Sequence, residues 1–181
     1  MARIIAILGK MGSGKTCFLT YLMYLDYKAG RKVVADYGLK FPNTYLTLDQ
    51  IATLPDEIQG ASVAVDEIHE AADSRSIFKK GNAGVTKLVS QIRKRKCVFY
   101  YTTQVLKKVD KRIRDVTDMF ITCDPYGQPV RFVDGQPEYH YFIIRVYNDR
   151  FGEPMKEFIF HGAPFFDLYD TNEIITFNEE N

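Results

Sequence analysis

Short apolar runs separated by polar, glycine- and proline-bearing stretches set the rhythm of this chain. Arg3-Ile4-Ile5-Ala6-Ile7-Leu8 is apolar up to Gly9, which predicts a buried strand. Cys17 to Leu25 has apolar positions nearly all round a helix, and Lys28-Ala29-Gly30 is its stop. Arg31 to Asp36 predicts a second strand and Tyr45 to Leu48 a further short one. Asp49 fits the N-cap of a short helix reaching Leu54, before Pro55. Ala61 to Asp66 predicts another buried strand. Val85, Leu88, Val89 and Ile92 recur at helical spacing and predict a helix to about Lys94. Cys97 to Thr103 is the most strand-like run, Val109 to Val116 predicts a short helix with Asp110 near its start, and Met119 to Cys123 predicts a strand. This alternation predicts an α/β fold: a mostly parallel central sheet flanked by helices.

From Asp124 the texture changes. Pro125, Gly127, Pro129, Gly135 and Pro137 punctuate a predicted loop. Glu138 to Asn148 and Met155 to Phe160, joined across Asp149 to Gly152, predict an antiparallel hairpin added to the C-terminal side of the sheet. Phe165 to Asn181 reads as an aromatic, then acidic, tail. The expected organisation is one domain over residues 1–181, with a core at about 3–124 and the hairpin and tail at 125–181.

Composition changes this picture in two places. The 181 residues are 46% hydrophobic and 26% charged, an ordinary globular balance, and no apolar run approaches the ~20 residues that span a bilayer. Cys17, Cys97 and Cys123 lie in or beside apolar runs and read as buried thiols, not a disulfide frame. With no signal-peptide pattern at the N-terminus, a cytoplasmic protein is expected. The net charge of +1 hides an asymmetry: Lys79 to Arg114 holds twelve bases and one acid, Asp110, while Asp149 to Asn181 holds eight acids and two bases. Such a basic run is either a solvated face or a contact for a polyanion or an acidic subunit. Lys79, Lys80, Lys87, Lys107 and Lys108 are its candidate nucleic-acid contacts, Lys79 and Lys80 on a candidate mobile loop from Phe78 to Gly84.

Gly9-Lys10-Met11-Gly12-Ser13-Gly14-Lys15-Thr16 fits G-x-x-x-x-G-K-[ST] between a predicted strand and a predicted helix, the setting that a phosphate-binding loop needs. Gly9, Gly12, Ser13, Gly14, Lys15, Thr16 and Cys17 are the candidate nucleotide-binding positions. Glycines let successive N–H groups turn toward phosphate oxygens, and the helix N-terminus adds partial positive charge. Lys15 would reach the β- and γ-phosphates of ATP, and Thr16 would ligate Mg²⁺. About 50 residues further on, Val63-Ala64-Val65-Asp66-Glu67 is an apolar strand ending in two acids, like a Walker B segment. Asp66 would serve the Mg²⁺ shell and Glu67 would polarise the attacking water as general base. Gln104 follows directly on a predicted strand. It is either a sensor that hydrogen-bonds γ-phosphate and water or an ordinary polar strand end.

The loop, the strand to Glu67, the basic helix end Arg93-Lys94-Arg95 and Thr102-Thr103-Gln104 together resemble the HerA/FtsK superfamily of P-loop ATPases. Asp66-Glu67-Ile68-His69-Glu70, Arg75 and the segment Val109 to Arg114 are similar to two of its branches. These are the genome-packaging ATPases of viruses with internal membranes, archaeal viruses included, and the Zot-like morphogenesis ATPases of filamentous phages. The resemblance implies a homo-oligomeric ring, a pentamer or hexamer, in which Arg93, or else Arg95, enters the neighbour's site as an arginine finger. The other reading of these arginines is a solvated helix end. It further implies an ATP-driven motor that moves nucleic acid, packaging viral double-stranded DNA in the host cytoplasm or on the virion beside capsid or inner-membrane vertex proteins. The alternative is a Zot-like assembly or secretion ATPase acting on protein. The chain shows no flanking domain and no apolar anchor, which tilts the expectation to the packaging branch.

Overall fold

The computed structural model describes residues 2–53, 58–69, 82–133, 135–148 and 152–170. Ten strands are formed there: β1 (Arg3–Leu8), β2 (Val33–Ala35), β3 (Thr44–Tyr45), β4 (Ser62–Val65), β5 (Val98–Thr103), β6 (Met119–Tyr126), β7 (Arg131–Val133), β8 (Gln136–Glu138), β9 (Tyr141–Tyr147) and β10 (Lys156–His161). Four helices accompany them: α1 (Lys15–Lys28), α2 (Leu48–Thr53), α3 (Asn82–Lys94) and α4 (Lys111–Asp115). Eight strands make one sheet in the order β10-β9-β6-β1-β5-β4-β2-β3. The pairs from β6 to β3 are parallel, while β9 runs antiparallel to β6 and to β10. This is the P-loop NTPase form of an α/β fold, with the expected hairpin added as β9 and β10.

Period-two alternation explains why the central strands are apolar throughout. In β1, Ile4 and Ala6 face one core cluster while Ile5 and Ile7 face the other; in β5, Phe99 and Tyr101 divide from Val98 and Tyr100 in the same way. The first cluster is closed by α2, α3 and α4. The second is closed by α1, whose outer side is covered in turn. Phe18 and Tyr21 pack against Phe160, and Tyr21 against Phe165 at 4.9 Å between ring centroids. Residues Ala163–Leu168 form a 3₁₀ strap that crosses this helix and joins the chain after β2: Lys40 donates its N–H to the Leu168 carbonyl at 2.9 Å. A helix packed on two sides needs apolar residues on two sides.

Several boundaries differ from expectation. The cap of α2 is Thr47, not Asp49: the Thr47 hydroxyl lies 3.4 Å from the Gln50 N–H, and the Gln50 side chain accepts from the Thr47 N–H at 2.9 Å. The short strand is Thr44–Tyr45, and Leu48 already belongs to α2. Asn82 to Gly84, expected in a loop, open α3; residues 78–81 lie outside the described residues. The expected loop from Asp124 to Pro137 instead carries the end of β6 and most of a small hairpin, β7 with β8. Of the acidic tail, residues 171–181 lie outside the described residues.

Candidate functional site

Strand β1 delivers the chain to the carboxyl edge of the sheet, and α1 carries it away; residues Gly9 to Gly14 make the turn between them. Two of its glycines sit in the left-handed region, Gly12 at φ 72° and Gly14 at φ 84°. Gly14 has a second reason to lack a side chain, because a β-carbon there would stand 2.6 Å from the Phe142 ring. The Ser13 N–H donates to the Lys10 carbonyl at 3.2 Å and curls the loop. The Ser13 hydroxyl oxygen is buried and finds no hydrogen-bond partner among the described residues. Lys15 opens α1, is 5% exposed, and donates to the same Lys10 carbonyl at 3.1 Å. The first N–H groups of a helix have no partner within it, so those of α1 remain available to an anion at the curled loop.

The oxygen donors lie on α1, β4 and β5. Thr16 donates its hydroxyl to Asp66 at 2.9 Å. Thr102, fully buried near the end of β5, donates to Asp66 Oδ1 at 2.5 Å and accepts the Glu67 N–H at 2.7 Å. From β2, Asp36 accepts the Asp66 N–H at 2.9 Å. Burial raises the carboxyls of both aspartates, Asp36 to about 8; hydrogen bonds from Thr102 and Thr16 work the other way on Asp66. A carboxylate that is costly to ionise in its burial, touching a hydroxyl, fits a hard divalent cation such as Mg²⁺. Among the described residues no three acids, histidines or cysteines cluster to hold a metal alone.

Glu67 faces the loop from the other side. Its Oε1 lies 3.0 Å from Lys15 Nζ and 3.4 Å from Gln104 Nε2; its Oε2 lies 3.2 Å from His69 Nδ1. It stands at φ 44°, a conformation that costs a non-glycine residue energy and that clusters at functional sites. The parallel register explains why these residues meet. Leu8 pairs with Thr103 and Val65 with Tyr101, so the residues that follow each strand leave the sheet at nearly the same level. Because β5 lies between β1 and β4, Gln104 emerges between the loop and the two acids.

Other expected residues lie elsewhere. The Cys17 side chain turns away from the loop, its thiol 3.5 Å from the Gly162 carbonyl and pushed up to about 12 by burial; only its backbone N–H remains for a ligand. Arg93 and Arg95 precede β5 whereas Gln104 follows it, so the arginines sit at the opposite edge of the sheet, about 20 Å away at ~3.3 Å per residue. Arg93 is exposed, and Arg95 donates to the Gln91 side chain at 3.1 Å. Lys107 and Lys108 are exposed on a 3₁₀ turn just after Gln104, on the nucleotide edge. Lys79, Lys80 and Arg75 lie outside the described residues. Sequence reasoning gave no role to Asp36, Thr102, Thr103 or His69. Asp36 had a signal, since Val33-Val34-Ala35-Asp36 ends a strand in an acid as Val63-Ala64-Val65-Asp66 does. Thr103 pairs with His69 Nδ1 at 3.1 Å, a contact that only the fold reveals.

Solved structures of other proteins share this fold. The N-terminal domain of zonular occludens toxin from Neisseria meningitidis aligns at TM-score 0.66 and 22% identity over 94% of this chain and 100% of that one. The genome packaging NTPase B204 from Sulfolobus turreted icosahedral virus 2, solved with AMP, aligns at 0.54 and 12% over 86% and 97%. A KaiC-like protein from Pyrococcus horikoshii aligns at 0.58 and 13% over 88% and 85%. No protein-family model and no curated protein matches the chain. Among the described residues no helix is long and apolar enough to cross a membrane.

Proposed function

We propose that the chain is an ATP-hydrolysing motor domain of the HerA/FtsK kind, working in a homo-oligomeric ring on double-stranded DNA during viral genome packaging. The observation that carries the hydrolytic part is the convergence at the loop of Lys15, Glu67 and Gln104 with Thr16 and Asp66. Thr16 and Asp66 would hold Mg²⁺, which when bound polarises the phosphate oxygens. Lys15 is paired with Glu67 in the structure described; phosphates in the loop compete for that ammonium and release the carboxylate to orient and deprotonate water. The contact of Gln104 with Glu67 supports a role for it in coupling the state of the γ-phosphate to the turn bearing Lys107 and Lys108. Arg93, or else Arg95, lies too far from its own loop to serve it, which supports a role in a neighbouring subunit's site.

A second reading, assembly or export work on protein, is supported by the alignment with the toxin domain, which has the higher identity and TM-score of the two. That structure is itself an N-terminal domain. ATP turnover with and without duplex DNA across a salt series separates the two. Packaging requires DNA-stimulated turnover that falls with salt. Lys107→Ala/Lys108→Ala should flatten the slope of log affinity against log salt by about 0.9 for each phosphate no longer neutralised. Turnover indifferent to DNA would favour the protein-directed reading.

A further inference from the structure

Two neighbouring threonines close β5, and the pleat of a strand sends their side chains to opposite faces of the sheet. Thr102, on the face of Tyr100, takes the backbone N–H of Glu67. Thr103, on the face of Tyr101 and fully buried, meets His69 Nδ1 with its hydroxyl at 3.1 Å. His69 is itself buried and follows Glu67 by two residues; Ile68 between them is fixed in the first core cluster.

The two carboxylate oxygens of Glu67 keep different company. Oε1 contacts Lys15 and Gln104. Oε2 is buried, lies 3.2 Å from His69 Nδ1, and accepts no hydrogen bond among the described residues. A buried carboxylate oxygen without a donor is costly. Two bare acceptors at 3.2 Å would repel each other, so Nδ1 carries the ring hydrogen. That hydrogen goes to the Thr103 oxygen, which also accepts the Val105 N–H at 3.3 Å. One ring N–H thus stands between two acceptors at nearly equal distance, one supplied with donors and one without. A histidine that only filled the core would need the Thr103 bond alone; the orphaned oxygen beside the same nitrogen sets this one apart.

We infer that His69 is a positioning residue for hydrolysis. Once phosphates draw Lys15 away from Glu67, a small turn of the ring moves its N–H from Thr103 to Oε2. The carboxylate is then held by Oε2 and presents Oε1 to the attacking water. The inference rests on the hydrolytic reading of Glu67, and its test keeps the two apart.

The experiment measures kcat and ATP affinity of the full chain in the parent, His69→Leu and His69→Asn, each with and without Glu67→Gln. Leucine fills the space without a donor, while the asparagine amide returns an N–H near the place of Nδ1. A reacting group misplaced by about 1 Å can cost about 100-fold in rate. His69→Leu should therefore lower kcat by about tenfold or more and leave ATP affinity within about twofold of the parent, and His69→Asn should recover most of the rate. On the Glu67→Gln background His69→Leu should slow turnover no further, because the carboxylate it positions is gone. A leucine variant with the parent kcat would overturn the inference. So would leucine and asparagine variants that are equally slow, ATP affinity that falls as far as the rate, or a full further loss on the Glu67→Gln background. A parent protein that binds ATP without turning it over would remove the hydrolytic reading, and this one with it.

Discussion

Thr102→Val isolates the polar tie on which the two acids depend. Valine keeps the branched shape and the strand preference of threonine, so the packing of β5 barely changes and the loss is polar. The hydroxyl makes two bonds from a fully buried position, one to Asp66 and one from the Glu67 N–H. A hydrogen bond to a charged group is worth about 1.5–3 kcal/mol, and a stranded buried N–H costs about 1–3 kcal/mol. Asp66 keeps its bond from Thr16, and Glu67 is partly open to water, which puts the sum near the lower end, at about 3 kcal/mol. In a domain of this size that corresponds to a drop of about 6–12 °C in Tm. Glu67, at positive φ without its anchor, should swing out of register with the loop and lose turnover by about tenfold or more, while ATP binding through Lys15 is nearly kept. Thr102→Ser returns the hydroxyl and should recover most of both losses. Thermal and denaturant melts of the three proteins, with steady-state turnover beside them, decide the matter. A valine variant within about 0.5 kcal/mol of the parent, or a serine variant as damaged as the valine one, would refute the reasoning.

Glu67→Gln should bind ATP as the parent does and hydrolyse it about 100-fold more slowly or worse; lost affinity with a normal rate per bound ATP would make Glu67 a ligand instead. Arg93→Ala, or failing that Arg95→Ala, should retain binding and lose turnover by ~10³-fold, and mixing it with Lys15→Ala should restore some activity. Assembled mixtures that stay dead at every ratio would count against a finger supplied by a neighbour. Cys17 should resist alkylation at pH 8. An ordinary thiol of pKa 9 is about 10% ionised there, one raised to about 12 is about a thousandfold less so, and burial adds to the protection. Because the folded pKa is the higher one, the stability from keeping this thiol neutral is whole below pH 9 and is lost as pH climbs from about 9 to about 12, which denaturant melts at rising pH would show.

Where one local signal decides an element, the sequence reading and the structure agree. The loop between an apolar strand and a helix, the acids ending β4 and the stop at Gly30 each carry their own chemistry within a few residues. Asp36 and Thr102 are different, since nothing near them in the chain says that they flank Asp66. Their roles come from the lateral order of β2, β4 and β5, a long-range pairing. The cap of α2 was legible and is misread at Asp49, because Thr47 with Gln50 three residues on is a capping box. The β7–β8 hairpin was hidden by Pro137 and Gly135, which argue against a strand in the interior of a sheet but not in a two-stranded ribbon. An all-round apolar α1 was visible in the sequence, but its second cover was not.

That second cover has a consequence for synthesis. The helix that follows the phosphate loop ends at Lys28, yet the rings that shield its outer face, Phe158, Phe160 and Phe165, belong to the far end of the chain. Ribosomes add about 5–20 residues each second, so the intervening stretch takes about 7–30 s to make. Throughout that interval Phe18 and Tyr21 stand on a nascent polypeptide without their partners, in the company of sheet strands equally short of theirs. A chain ordered in this way leaves that apolar face uncovered for the whole interval, and a translation pause before Lys156 would lengthen its exposure to aggregation.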